Sequence, residues 1–106
     1  MRLKKNRLKI YKLYKYKVVT TTEGAKVKGY DEEFKEIKAE IWPASGRVQA
    51  EIYGEKLGYM LNMIVERTTE LSERDGICID SEEPNYRIVS IRNYTIHKLC
   101  ELEKIT

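Results

Sequence analysis

Phe34-Lys35-Glu36-Ile37-Lys38-Ala39-Glu40-Ile41-Trp42-Pro43-Ala44-Ser45-Gly46-Arg47-Val48-Gln49-Ala50-Glu51-Ile52-Tyr53-Gly54 carries the reading of the whole chain. Its first half alternates. Ile37, Ala39 and Ile41 fall on one side and Lys38 and Glu40 on the other, the period of a strand with one buried face. Pro43 has no N–H to give to a ladder and ends the strand. The segment after Pro43 is too long, and too rich in Trp, Pro, Arg and Tyr, for a plain connector in a small β domain, where connections run to a few residues. The sequence predicts a long functional loop over 43–58. Within it Ser45 N-caps a helical turn or two, Val48 and Ile52 stack at i, i+4, and Gly54 stops the helix. So short a helix is marginal without docking, and residues 43–57 are expected to be poorly ordered until a neighbour docks.

Strand signals extend on both sides. Upstream, Leu8, Ile10, Tyr14, Tyr16 and Val18 share one parity and are expected to be the buried face of a first strand. Lys9, Lys15 and Lys17 take the other parity, with Tyr11 and Leu13 breaking the phase. Thr20-Thr21-Thr22 leads into a turn at Glu23-Gly24, a second short strand is expected over Val27 to Tyr30, and Phe34 to Trp42 is the third. Downstream, Tyr59 to Arg67 is apolar and β-compatible, Asp75-Gly76 reads as a turn, Ile77-Cys78-Ile79 as a short strand and Pro84-Asn85 as another turn. Tyr86, Ile88 and Ser90 then alternate with Arg87, Val89 and Ile91. After a bend at Arg92-Asn93-Tyr94, Ile96 to Leu102 supplies a closing strand. Six or seven short strands with turns between them predict a mainly β chain: a small antiparallel barrel, with a sandwich as the other arrangement, formed as one domain over 1–106. No internal repeat and no low-complexity linker interrupts it.

The net charge of +3 hides an asymmetry. Residues 1–17 carry eight cations (Arg2, Lys4, Lys5, Arg7, Lys9, Lys12, Lys15 and Lys17) and no acid, so the remainder is net acidic at −5. A basic arm on an acidic body favours either a polyanion partner or self-association in which one subunit's arm meets another's acidic face. Tyrosines interleaved with these lysines could stack on bases while the lysines neutralise phosphates, leaving Lys4, Lys5, Arg7, Lys9, Lys12, Lys15 and Lys17 as candidate nonspecific DNA or subunit contacts. The reading preferred for sequence readout is plainer: tyrosines as a buried strand face, lysines as solubility and edge protection. The basic start runs into alternating Lys and Tyr rather than an apolar signal block, and no stretch is long and apolar enough for a membrane span, so no membrane partner is expected.

Chemistry is sparsely signalled. His97 is the one histidine; with Cys78 and Cys100 it would make three soft ligands at most, lacking the paired Cys-x-x-Cys spacing of a zinc site. The reading is a strand histidine and two reduced core thiols, in a cytosolic setting, with no metal. Glu32-Glu33, Glu82-Glu83 and Glu101/Glu103 read as solvated faces, and the scattered glycines form no phosphate cradle. A non-enzymatic protein without a cofactor is expected.

The order of features, with Pro-Ala-Ser-Gly-x-x-Gln-Ala-Glu-x-Tyr-Gly at Pro43 to Gly54, Tyr-x-Ile-x-x-Ile at Tyr86, Ile88 and Ile91, and a closing strand ending in Leu102-Glu103, resembles the head-closure proteins of tailed bacteriophages and defective prophages, also called head–tail joining or stopper proteins. The resemblance covers most of the chain beyond residue 8. It implies a small β-barrel, a monomer in isolation, that assembles in the bacterial cytoplasm as a ring in the connector region of the virion. There it would contact portal or adaptor and tail proteins, and use a long loop to help retain packaged double-stranded DNA. The loop role falls on Pro43 to Leu57, with Trp42 at its base. Trp42, Pro43, Arg47, Gln49, Tyr53 and Tyr59 become the loop and interface candidates. The cationic arm before residue 18 departs from the family pattern. The alternative reading is a free-standing small-barrel nucleic-acid-binding module that works through that arm.

Overall fold

The computed structural model describes residues 8–44 and 46–105, with the side chains of Val19, Val27, Lys28, Arg47 and Val48 left outside the description. Six strands succeed one another: β1 (Lys9–Thr20), β2 (Lys26–Pro43), β3 (Met60–Glu66), β4 (Gly76–Cys78), β5 (Tyr86–Asn93) and β6 (His97–Lys104). All pair antiparallel and close into a barrel in the order β1-β2-β3-β6-β5-β4, with β4 returning to β1. The expected mainly β, antiparallel barrel is the observed architecture. One helix, α1 (Arg47–Tyr53), and a 3₁₀ segment (Gly54–Tyr59) lie in the connection between β2 and β3.

Every strand contributes to the interior. Leu13, Ile37, Ala39, Met63, Val65, Ile77, Ile88, Cys100 and Leu102 are buried together, with Leu71 plugging in from the β3–β4 loop. Successive residues in a strand point to opposite faces, so Asn62, Ile64, Leu99 and Glu101 sit on the barrel's outer wall.

Three expectations about the strands are corrected. The first concerns phase in β1. Tyr11 and Leu13, which break the expected pattern, are the inward residues, whereas Ile10 and Val18 are exposed. The outer face of β1 is itself partly aromatic, Tyr14 packing on Phe34 with ring centroids 5.8 Å apart, and periodicity alone cannot rank two half-apolar faces.

The second correction joins two expected strands. Val27–Tyr30 and Phe34–Trp42 are parts of the single strand β2, continuous through Asp31-Glu32-Glu33. A register shift between Tyr14 and Tyr16 absorbs the extra residues: Tyr14 pairs with Phe34, but Tyr16 with Tyr30. Beyond the shift, Tyr16–Thr20 and Lys26–Tyr30 pair only with each other and leave the barrel as a two-stranded ribbon. A turn closes it, Thr21 N–H bonding Ala25 O at 2.8 Å and Gly24 taking φ +84.

The third lies in β5. Strict alternation fails because a bulge falls between Ile88, which pairs with Leu102, and Ser90, which pairs with Glu101. The extra residue explains the Tyr86, Ile88, Ile91 spacing: all three side chains meet the core although Ile88 and Ile91 are three apart.

The turn expected at Asp75-Gly76 lies one step earlier, over 72–75, where the Asp75 N–H bonds Ser72 O at 3.2 Å, and Gly76 already belongs to β4. Asp75 is 1% exposed. Its Oδ1 accepts the Tyr16 N–H at 3.0 Å where β1 leaves β4, and its Oδ2 accepts the Ser72 N–H at 2.9 Å. Gly76 opens β4 because a Cβ there would lie 2.7 Å from Pro84 Cβ and 2.9 Å from the Tyr30 ring. The turn expected at Pro84-Asn85 falls earlier, the chain reversing through bends over 79–83, and Asn85 closes the reversal by pairing its side-chain amide with both backbone groups of Ile79 at 2.8 Å.

Candidate functional site: the β2–β3 excursion and its clasp

Residues 44–59 leave the barrel at Pro43, where the Ala44 N–H bonds Met60 O at 3.1 Å, and return at Met60. Ser45, expected as the N-cap, lies outside the described residues. The cap position belongs to Gly46, at φ +117 and without a side-chain cap bond. Gly54 ends α1 as expected, at φ +57, its N–H reaching Ala50 O. The 3₁₀ segment beyond it buries no side chain.

No anchor for this excursion is visible in the sequence; the structure supplies one. Trp42, Asn62, Glu101 and Ser90 occupy one cross-strand row on the outer wall of β2, β3, β6 and β5. Gln49 descends onto that row, its Nε2 donating to Asn62 Oδ1 and to Glu101 Oε2, both at 2.8 Å, while Asn62 Nδ2 returns to Gln49 Oε1 at 3.4 Å. Ser90 Oγ donates to Glu101 Oε1 at 2.6 Å, Tyr53 hydrogen-bonds the same carboxylate, and Arg92 lies 3.7 Å away. The helix therefore presents Gln49 and Tyr53, at i, i+4, to the barrel. Of the expected Val48 and Ile52 stack, Ile52 is 58% exposed, and the Val48 side chain lies outside the description.

Glu101, which reads from the sequence as part of a solvated face, is 4% exposed. Burial pushes its carboxyl up, but hydrogen bonds from Gln49, Ser90 and Tyr53 and the charge of Arg92 outweigh burial and hold it below the ordinary glutamate value. Burial raises the Tyr53 phenol, and the neighbouring Glu101 adds to that. A carboxylate supplied with this many donors is satisfied, and the cluster fastens the excursion to the barrel wall. Cross-strand neighbours decide this, and the signal is absent from linear spacing.

The other candidates separate. Trp42 is half-buried at the end of β2, Pro43 is exposed, and Tyr59 is 66% exposed, free to meet a partner. The Arg47 side chain is outside the description. Gln49 and Tyr53 are committed to the clasp and are not free contact residues. Lys4, Lys5 and Arg7 lie outside the described residues. Lys9, Lys12, Lys15 and Lys17 form no single stripe: Lys12 sits 4.7 Å over the Phe34 ring and Lys17 is 3.5 Å from Asp31.

Glu103, also read as solvated, is 3.2 Å from Arg87 and mostly covered. Glu32-Glu33 and Glu82-Glu83 are exposed. Cys78 and Cys100 are free, buried thiols on separate strands; burial raises both, Cys100 to about 12. His97 is buried, stacked on Tyr94 at 5.0 Å, with no hydrogen-bond partner on Nδ1. Among the described residues no three His, Cys, Asp or Glu groups come together as metal ligands, and no helix is long and apolar enough to cross a membrane.

Comparison of the chain with protein-family models, with curated proteins and with solved structures gives no match.

Proposed function

We propose that this chain is the subunit of a connector ring in a tailed-phage or prophage particle, joining head to tail and helping to close the DNA channel. The observation that carries the reading is the pairing of a closed barrel with two projections of unlike chemistry. A closed barrel leaves no strand edge in its wall for a neighbour to extend, which favours contacts through what stands out from it. Here those parts are the excursion, which displays Ile52 and Tyr59 at 58% and 66% exposure, and the charged β1–β2 ribbon. Different surfaces on one subunit are what a head-to-tail ring contact requires. The resemblance at Pro43 to Gly54 supplies the biological setting, with portal or adaptor protein, tail protein and nonspecific packaged DNA as the partners.

The test is co-expression with portal and tail components, followed by particle assembly and DNA-retention assays on Tyr59→Ser and Ile52→Asp. Each variant should melt with the parent, because both side chains are solvent-exposed, and yet enter connector complexes poorly or yield particles that leak DNA. Variants that assemble and retain DNA normally remove the excursion as the working surface. Tight, salt-sensitive DNA binding by the monomer would instead favour the free-standing nucleic-acid module.

A further inference from the structure

At the root of the ribbon, on the side of the barrel bounded by β1, β5 and the loop before β4, lies a cleft of about 480 Å³ that neither the clasp nor the connector reading uses. Tyr16, Tyr30, Glu73, Arg74, Arg87 and Val89 line it. Three features built by the fold converge here. The register shift in β1 and β2 brings Tyr16 opposite Tyr30, with ring centroids 6.3 Å apart and edge to face. Gly76, lacking a Cβ, lets the Tyr30 ring lie against the backbone. The bulge in β5 adds Val89.

Arg74 is the unusual member. It holds φ +77, a left-handed conformation that favours glycine, and is kept there by its N–H bond to Ile88 O at 2.7 Å. The guanidinium stands 5.7 Å over the Tyr16 ring. Arg87 reaches the same cleft from β5, one of its nitrogens engaged by Glu103 at 3.2 Å and its other donors without an acceptor among the described residues.

We propose that this cleft binds a nucleotide unit: a phosphate between the two guanidinium groups and a planar ring against the tyrosines. Guanidinium forks match phosphate oxygens in pairs, aromatic side chains stack on bases without regard to sequence, and the volume falls within the range of small-ligand sites. Glu73 on the wall accepts from a ribose hydroxyl or a base amino group. The unit can come from a free nucleotide or from an exposed strand. The proposal stands independently of the ring reading.

The experiment is a titration of the full chain, monitored by amide NMR, with adenosine monophosphate, inorganic phosphate, adenosine and a short oligothymidylate. Arg74→Gly is the decisive variant, because glycine suits the backbone at that position and the fold is kept while the guanidinium is removed. Arg87→Gln is the second variant, and Arg67→Gln, whose guanidinium bonds Tyr94 O, is the control. The monophosphate should bind at least about fivefold tighter than phosphate or adenosine, shifting the amides of Glu73 to Asp75 and Val89, and should lose at least about fivefold in each cleft variant but not in the control. Arg74-dependent binding that is tighter for the oligonucleotide assigns the source to a strand, and tighter for the monophosphate to a free nucleotide. Phosphate binding as tightly as the monophosphate, or no Arg74-dependent binding of either nucleotide probe, overturns the proposal.

Discussion

Replacing Glu101 by Gln keeps the shape of the clasp and removes its charge. The 4% exposed carboxylate accepts from Gln49 at 2.8 Å and from Ser90 at 2.6 Å, and takes a further bond from Tyr53. Hydrogen bonds to a charged group contribute about 1.5–3 kcal/mol each against about 0.5–1.5 for neutral pairs, so converting the two short ones, from Gln49 and Ser90, costs about 2–3 kcal/mol. Relief from burying a charge offsets part of this, leaving a net loss of about 1–2 kcal/mol. For a chain of this size the melting temperature should fall by about 5–10 °C at pH 7.

The pH dependence separates charge from shape. A carboxyl held below its ordinary value of 4.5 contributes stability above that value and loses it as the pH falls through the folded-state value. The gap between parent and Glu101→Gln should therefore be full at neutral pH and vanish in acid. Thermal melts across that range decide it. A variant as stable as the parent at pH 7, or a gap unchanged in acid, would refute the account of Glu101 as a charged fastening.

Gly76→Ala should cost about 1–3 kcal/mol by forcing a methyl against Pro84 and the Tyr30 ring, read by denaturant titration. Asp75→Ala strips the acceptor from the Tyr16 and Ser72 N–H groups and should cost about 1–3 kcal/mol by the same measurement, whereas substitution of exposed Glu82 should be near neutral. Cys100, with its thiol raised to about 12, should resist thiol reagents at pH 8 until the barrel unfolds, a property tracked by labelling against denaturant concentration.

The barrel is legible in the sequence because the decisive signals are local: Ile37, Ala39 and Ile41 alternate cleanly, Pro43 marks an end, and Gly54 marks another. Boundaries fail where the ladder is irregular. Nothing in Asp31-Glu32-Glu33 announces that β2 continues through a register shift, and nothing near Val89 announces a bulge, because both depend on the partner strand. In β1 each face is half apolar, so only the closed barrel decides that Leu13 points in and Ile10 out. Composition locates the excursion but not its attachment. Gln49, Asn62, Ser90 and Glu101 are scattered along the chain and meet only because β3, β6 and β5 are neighbours, so in sequence Glu101 looks like any surface acid.

Closure of the barrel rests on three residue pairs, Lys12 with Cys78, Leu13 with Ile77 and Tyr14 with Gly76. Each joins positions more than sixty apart in the chain, whereas β1 with β2 and β5 with β6 are sequence neighbours. Chain-entropy costs rise with such separation, so the hairpins form early and this seam is zipped late in folding. On a ribosome, β1 must wait for more than half the protein to emerge before its second edge is covered. The β4 amides are then the first part of the wall to open, and their hydrogen exchange should report the earliest loosening of the molecule.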